Sequence, residues 1–330
     1  AVVGPVRNRC QTVQMRAAVR HTYGGPVAIE QVDPPQIADD EVLVEVRAAG
    51  LDRGVLHLWE GTPYALRLVF GLRRPKNPVL GLDVAGRVAE VGSAVSGFAV
   101  GDEVCGIARG SFAELAAAPA AKVVHKPADL GFDEAAALPI SGLTGLQAVR
   151  EAGVRAGQRV AVVGASGGVG IYVVQIAHAE GAHVTAVCSP AKAALVRELG
   201  ADEVLDYANP MPQGAFDVVF AIGGNLPVRS LRAMLTERGV LLVIGGEGGG
   251  QILGIGRQIR AVMWNPLVGQ RMGMLVSKES GEDLQVLMDM VVAGSVHPVI
   301  GARYPLEQAG QALNDMAAGR LRGKAVIEVG

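Results

Sequence analysis

The chain has 330 residues, half of them hydrophobic, and a formal net charge of −2. That length holds two domains, and the dispersed basic residues exclude a nucleic-acid-binding face. No apolar stretch reaches the roughly 18 residues of a membrane span, and no signal peptide is read at the start.

In chain order, residues 1–14 show no clear periodicity and are expected to be a disordered N-terminal extension outside the fold. From Met15 onward short strands are predicted at 42–46, 84–91, 100–107 and 122–124, separated by Gly86, Gly92, Gly97, Gly101 and Gly110. Even spacing and glycine turns point to a small β-barrel. From about Leu138 to Ser277 strand and helix alternate, the pattern of a doubly wound parallel sheet, with strands at 159–163, 183–188, 203–206, 216–221, 239–244 and 272–276. Helices near 282–292 and 306–318 and a strand at 325–329 form a remainder too short to stand alone. The expected organisation is α/β: a barrel domain of 15–137 plus 278–330, interrupted by a nucleotide-binding domain of 138–277. Cys10, Cys105 and Cys188 are scattered and odd in number, which fits a reducing cytoplasm better than a disulfide framework.

The stretch AVVGASGGVGIYVVQIA at 161–177 joins a β-branched run to a helix-period run through small residues. Ala165, Gly167 and Gly170 occupy the G-x-G-x-x-G positions, with alanine at the first. Ala165, Ser166, Gly167, Gly168, Val169 and Gly170 are therefore the candidate cradle for a diphosphate: Gly167 is bare for close approach and Gly170 permits close helix packing. At the end of the next strand, where an NAD-selective site carries an acid, stands Cys188. Ser189 and Pro190 then read as N-cap and first helical residue. Lys192 lies in that first turn, where a cation is disfavoured unless an anion is nearby, so the expected cofactor is NADPH. Two short basic groups, Arg73, Arg74 and Lys76, and Arg320, Arg322 and Lys324, read as solvated loop charges or as grips for an anionic cofactor or substrate.

The stretches VLVEVRAAGLDRG, NPVLGLDVAGRVAEVGSAVSGFAVGDEV, LPISGLTGLQAV, GASGGVG, RELGADEVLDY and LRGKAVIEV resemble the medium-chain dehydrogenase/reductase superfamily, in its zinc-free quinone oxidoreductase branch. The resemblance covers Met15 to the end and implies a GroES-like barrel domain interrupted by a Rossmann domain, in a homodimer. It implies that Thr144 faces the nicotinamide and that Tyr207, with Ser189 and Lys192, surrounds the adenosine 2'-phosphate. Gly223 and Gly245 would admit the ribose, and Arg322 or Lys324 would add charge near the phosphate.

By the same resemblance, the zinc-ligand positions of related enzymes fall on Asp52, Leu82 and Ile140, two of which cannot ligate. Of the possible donors only Asp52, His57 and Glu60 cluster, so no metal is expected. An acceptor that delocalises its own charge, a quinone or an α,β-unsaturated carbonyl, then suits the site. Asp52, His57 and Tyr64 are the candidate catalytic residues, although Asp52 also reads as a structural ion pair with Arg53 or Arg47. The expected activity is NADPH-dependent reduction of such a small molecule. The alternatives are a zinc-free alcohol or ketone dehydrogenase and a non-catalytic NADPH-binding protein.

Overall fold

A computed structural model describes residues 14–245, 256, 261–262 and 268–330. Almost all of the expected N-terminal extension, residues 1–13, lies outside the described residues. The first lobe contains β1 (Met15–Val19), β2 (Ala28–Val32), β3 (Glu41–Leu51), α1 (Arg53–Glu60), α2 (Arg67–Phe70), β4 (Asp83–Val91), β5 (Glu103–Ile107), β6 (Leu115–Pro119), β7 (Val123–His125) and α3 (Phe132–Ala136). The second contains α4 (Pro139–Ala152), β8 (Arg159–Val163), α5 (Gly170–Ala179), β9 (His183–Cys188), α6 (Ala193–Glu198), β10 (Glu203–Asp206), β11 (Phe216–Ala221), α7 (Val228–Ala233), β12 (Leu235–Val243) and β13 (Arg271–Met274). The chain closes with α8 (Gly281–Val292), β14 (Ile300–Pro305), α9 (Ala309–Ala317) and β15 (Lys324–Glu328).

Seven strands of the first lobe run in the order β14-β15-β3-β4-β5-β7, with β6 pairing β3. The long strand β3 is buried on nearly every residue, because β6 and β15 both pair with it opposite β4. Gly86 makes the closest approach possible: a Cβ there would lie 2.0 Å from the Glu45 carbonyl oxygen.

The second lobe is a six-stranded parallel sheet in the order β10-β9-β8-β11-β12-β13. Strand order reverses between β8 and β11, and the crevice beyond the carboxyl ends of strands at such a reversal is where ligands bind in this architecture. The β-branched runs Arg159–Val163 and Phe216–Ala221 form central strands because both faces are covered by helices.

Several boundaries differ from the expectation. The strand expected from residue 100 starts at Glu103, since Asp102 closes a turn onto Ala99, with its N–H on the Ala99 carbonyl (3.1 Å) and its carboxylate accepting from Ala99 N–H (2.8 Å). The strand expected at 239–244 begins earlier, at Leu235. From 278, where the return to the barrel is expected, Glu279 pairs with Lys122 and a Cβ on Gly281 would lie 2.5 Å from the Ala121 oxygen, while α8 also lies against α4 of the parallel-sheet lobe. Leu287 fills the groove left by Gly142, where a Cβ would sit 2.4 Å from the leucine methyl. Gln147 and Arg150 of α4 bond to Asp283 of α8 at 2.7 and 2.6 Å. Only at Ile300 does the chain rejoin the barrel sheet, with β14 pairing β15.

Candidate active site

A cavity of about 880 Å³ lies between the lobes at the strand-order reversal. The ends of β8, β9, β11 and β12 supply Val163, Cys188, Gly223 and Gly245, α4 supplies Ser141 and Thr144, and the β3–α1 corner supplies Asp52, Arg53 and His57.

The glycine turn forms one wall. Gly167 N–H closes onto the Gly164 carbonyl at 3.1 Å, which directs the turn into α5. A Cβ on Gly170 would lie 2.2 Å from the Gly164 oxygen, so the helix can start this close to the strand only without a side chain. Around Gly167 the nearest atom to such a Cβ is 3.4 Å away, and the space belongs to the cavity. Ser166, Gly167, Gly168 and Val169 line the cavity, whereas Ala165 is fully buried behind it. The first N–H groups of a helix have no intrahelical partner, and the positive end of α5 meets the cavity here.

At the outer end of the cavity stand Ser189, Lys192 and Tyr207, all three in the lining. Pro190–Lys192 is a short 3-10 turn preceding α6, with Ser189 as N-cap and its side chain not used in capping. Lys192 Nζ donates to the Leu321 carbonyl at 3.2 Å. Burial pushes the Cys188 thiol up, against the pull of Lys192, so the strand end presents a neutral group. Arg322, expected nearby, is exposed and outside the lining.

The inner end is different. Asp52 N-caps α1, its Oδ1 accepting from Val55 N–H at 3.0 Å, while Oδ2 is buried with no hydrogen-bond partner. Arg47 bonds Glu45 instead of Asp52. His57, one turn along α1, has its Nδ1 buried and likewise unpartnered. Lys324 is 1% exposed and bonds Ser141 Oγ at 2.9 Å and Asp83 Oδ2 at 3.3 Å, so it is a buried charge rather than the phosphate grip expected of it. Asp83 Oδ1 accepts from Ile140 N–H at 2.9 Å, at the start of α4. Burial pushes the Asp83 carboxyl up to about 7, with Lys324 pulling down and Asp52 pushing up. Burial also raises the Asp52 carboxyl against the pull of Lys324, and lowers His57, with Arg53 acting in the same direction. Two acids thus share one buried lysine, and desolvation favours a proton on one of them.

The Thr144 hydroxyl donates to the Ile140 carbonyl at 2.7 Å, within its own helix, and Thr144 lines the cavity. Tyr64 does not line the cavity. It is 45% exposed, with the Arg67 guanidinium 4.8 Å from its ring centre.

Residues 38–128 match the family described as the alcohol dehydrogenase GroES-like domain, and residues 199–327 the family described as zinc-binding dehydrogenase. A chloroplast envelope quinone oxidoreductase homolog of Arabidopsis thaliana is 33% identical over 95% of this chain and 98% of its own. The chain belongs to the medium-chain dehydrogenase/reductase superfamily, in the quinone oxidoreductase-like branch. It is an oxidoreductase. The mitochondrial NAD(P)H oxidoreductase RTN4IP1 of Mus musculus is 32% identical over 76% of this chain and 70% of that one. The structure of the quinone oxidoreductase from Coxiella burnetii superposes with a TM-score of 0.84 at 26% identity, covering 96% of this chain and all of that one.

Members of the superfamily that hold zinc need convergent thiolate, imidazole or carboxylate donors. Here Leu82 and Ile140 stand at two of the three positions, and no group of three or more His, Cys, Asp or Glu among the described residues could hold a metal ion. Leu82 and Ile140 offer no donor atom to a zinc ion. Sequence reasoning missed Asp83 and Ser141 and misplaced Lys324. One signal was available: Asp83 in GLDVAG is a single charge in an apolar strand sequence, and such a charge is stable only when paired.

Proposed function

We propose that this oxidoreductase uses a nicotinamide cofactor, specifically NADPH, to reduce a quinone or α,β-unsaturated carbonyl without a metal ion. The observation that carries the reading is the buried Asp52, Asp83 and Lys324 cluster beside the cavity, a proton store where a zinc enzyme has its Lewis acid. The names of the similar plant and mouse proteins, a quinone oxidoreductase homolog and an NAD(P)H oxidoreductase, agree with it.

The cavity fits such a cofactor: its bare wall at Gly167 and Gly168 and the amino end of α5 suit a diphosphate, and Thr144 marks the nicotinamide end. Gly223 and Gly245 leave room for ribose, and Ser189, Lys192 and Tyr207 suit a 2'-phosphate. When bound, the cofactor supplies a hydride at its nicotinamide ring. Negative charge then grows on the acceptor oxygen, and a conjugated acceptor spreads it without a metal. Asp52, whose carboxyl burial raises and whose Oδ2 is uncommitted, is the proton donor we assign to that oxygen. Asp83 and Lys324 hold the replacement proton and balance the carboxylate left behind. His57, kept neutral, orients the same oxygen through its ring.

The test is a cofactor-consumption screen over quinones, enones, aldehydes and simple alcohols, with NADPH and NADH compared. Turnover of quinones or enones with NADPH supports the reading. Preference for NADH, or turnover confined to unconjugated alcohols and ketones, overturns it.

A further inference from the structure

Five of the large hydrophobic side chains exposed among the described residues fall within nine positions: Tyr64, Leu68, Val69, Phe70 and Leu72, the second of these 74% exposed. Tyr64 opens the 3-10 turn Tyr64–Leu66, the others sit on α2 and the turn after it, and α2 buries none of its residues. Exposed apolar side chains clustered in this way mark an interaction surface.

The segment is braced rather than loose. Tyr23 Oη donates to the Gly71 carbonyl at 2.7 Å, and Arg67 Nε donates to the Gly61 carbonyl at 2.8 Å while its guanidinium lies 4.5 Å from the Tyr23 ring centre. Lys76 N–H closes the turn onto the Phe70 carbonyl at 2.8 Å. Gly71, at φ +121°, is forced: a Cβ there would lie 2.0 Å from the Arg74 oxygen. Braced from behind, the turn presents Leu68, Val69, Phe70 and Leu72 outward.

Charge identifies the occupant. Arg67, Arg73, Arg74 and Lys76 lie in this stretch, and no Asp or Glu occurs from Gly61 to Leu82, although the whole chain is slightly acidic. Arg73, Arg74 and Lys76 are exposed. None of residues 64–76 lines the active-site cavity, so the apolar side chains do not serve it as a wall. Apolar side chains ringed by unneutralised arginine and lysine suit the boundary of a bilayer, where the former enter the acyl region and the latter meet anionic headgroups.

We propose that residues 64–76 are a docking platform for an anionic lipid surface, which the chain engages peripherally. The test is cosedimentation of the full chain with phosphatidylcholine vesicles, with and without phosphatidylglycerol, at low and high salt. Binding is expected only to the anionic vesicles and to weaken with salt. R73E/R74E should lower the partition coefficient by at least about tenfold, because each basic side chain near an anionic surface is worth roughly a fivefold change. L68S/L72S should lower it as well, with the thermal unfolding midpoint unchanged in both variants. Absence of binding, equal binding to neutral vesicles, or undiminished binding of both variants overturns the proposal. So does self-association in solution that L68S/L72S abolishes without lowering lipid binding, which would assign the platform to a second copy of the chain.

Discussion

The two ends of the cavity handle charge in opposite ways. At the outer end Lys192 and Tyr207 stand beside solvent, Tyr207 being 57% exposed, so their charges and hydroxyls are available to a ligand at little desolvation cost. At the inner end Asp52, Asp83 and Lys324 are 3%, 0% and 1% exposed, and burial raises both acids against the pull of Lys324. On the proposed reading, the outer end selects between ligands and the inner end holds a proton.

The largest break in that contrast should come from Lys324→Met. It strips two buried acids of their cation and should cost about 3–5 kcal/mol of stability, read by chemical denaturation. Adding Asp83→Asn should restore much of the loss, since the second charge is then gone. At the other end Lys192→Ala should raise KM for NADPH roughly ten- to hundredfold, leave KM for NADH nearly unchanged, and leave stability alone. Steady-state kinetics with both cofactors reads this directly.

A smaller effect sharpens the inner end. A carboxyl whose folded value lies near 7 keeps its proton in the folded chain while the unfolded chain has lost it. Stability from this group is therefore full at acid pH and declines as pH climbs from the ordinary carboxylate value, about 4, through about 7. Asp83→Asn should flatten that decline in denaturation measured across the range. The smallest effect belongs to Tyr64→Phe, which should change turnover by less than about twofold, because Tyr64 lies outside the cavity.

The same contrast explains what was legible in the sequence. Strands Arg159–Val163, Glu203–Asp206 and Phe216–Ala221 have the bounds expected of them, and the glycine turn and Lys192 are local signals read within a few residues. The outer end is assembled from such neighbours. The inner cluster draws on residues 52, 83, 141 and 324, and its Lys324–Asp83 contact spans 241 positions. No local period reports such a meeting, so Lys324 read as a phosphate grip and Asp83 went unremarked. Tyr64 illustrates the converse: a position carried over by motif lies on an exposed turn, where Arg67 covers one face of its ring. The fit of Leu287 over Gly142 is likewise a tertiary contact that no local period reports.

The division of labour is tested most directly by Asp52→Asn, assayed for kcat against a quinone at saturating NADPH together with NADPH affinity by fluorescence titration. The account predicts a fall in kcat of about a hundredfold or more with cofactor affinity intact. An unchanged kcat would contradict it, and would place the proton source elsewhere than the buried cluster.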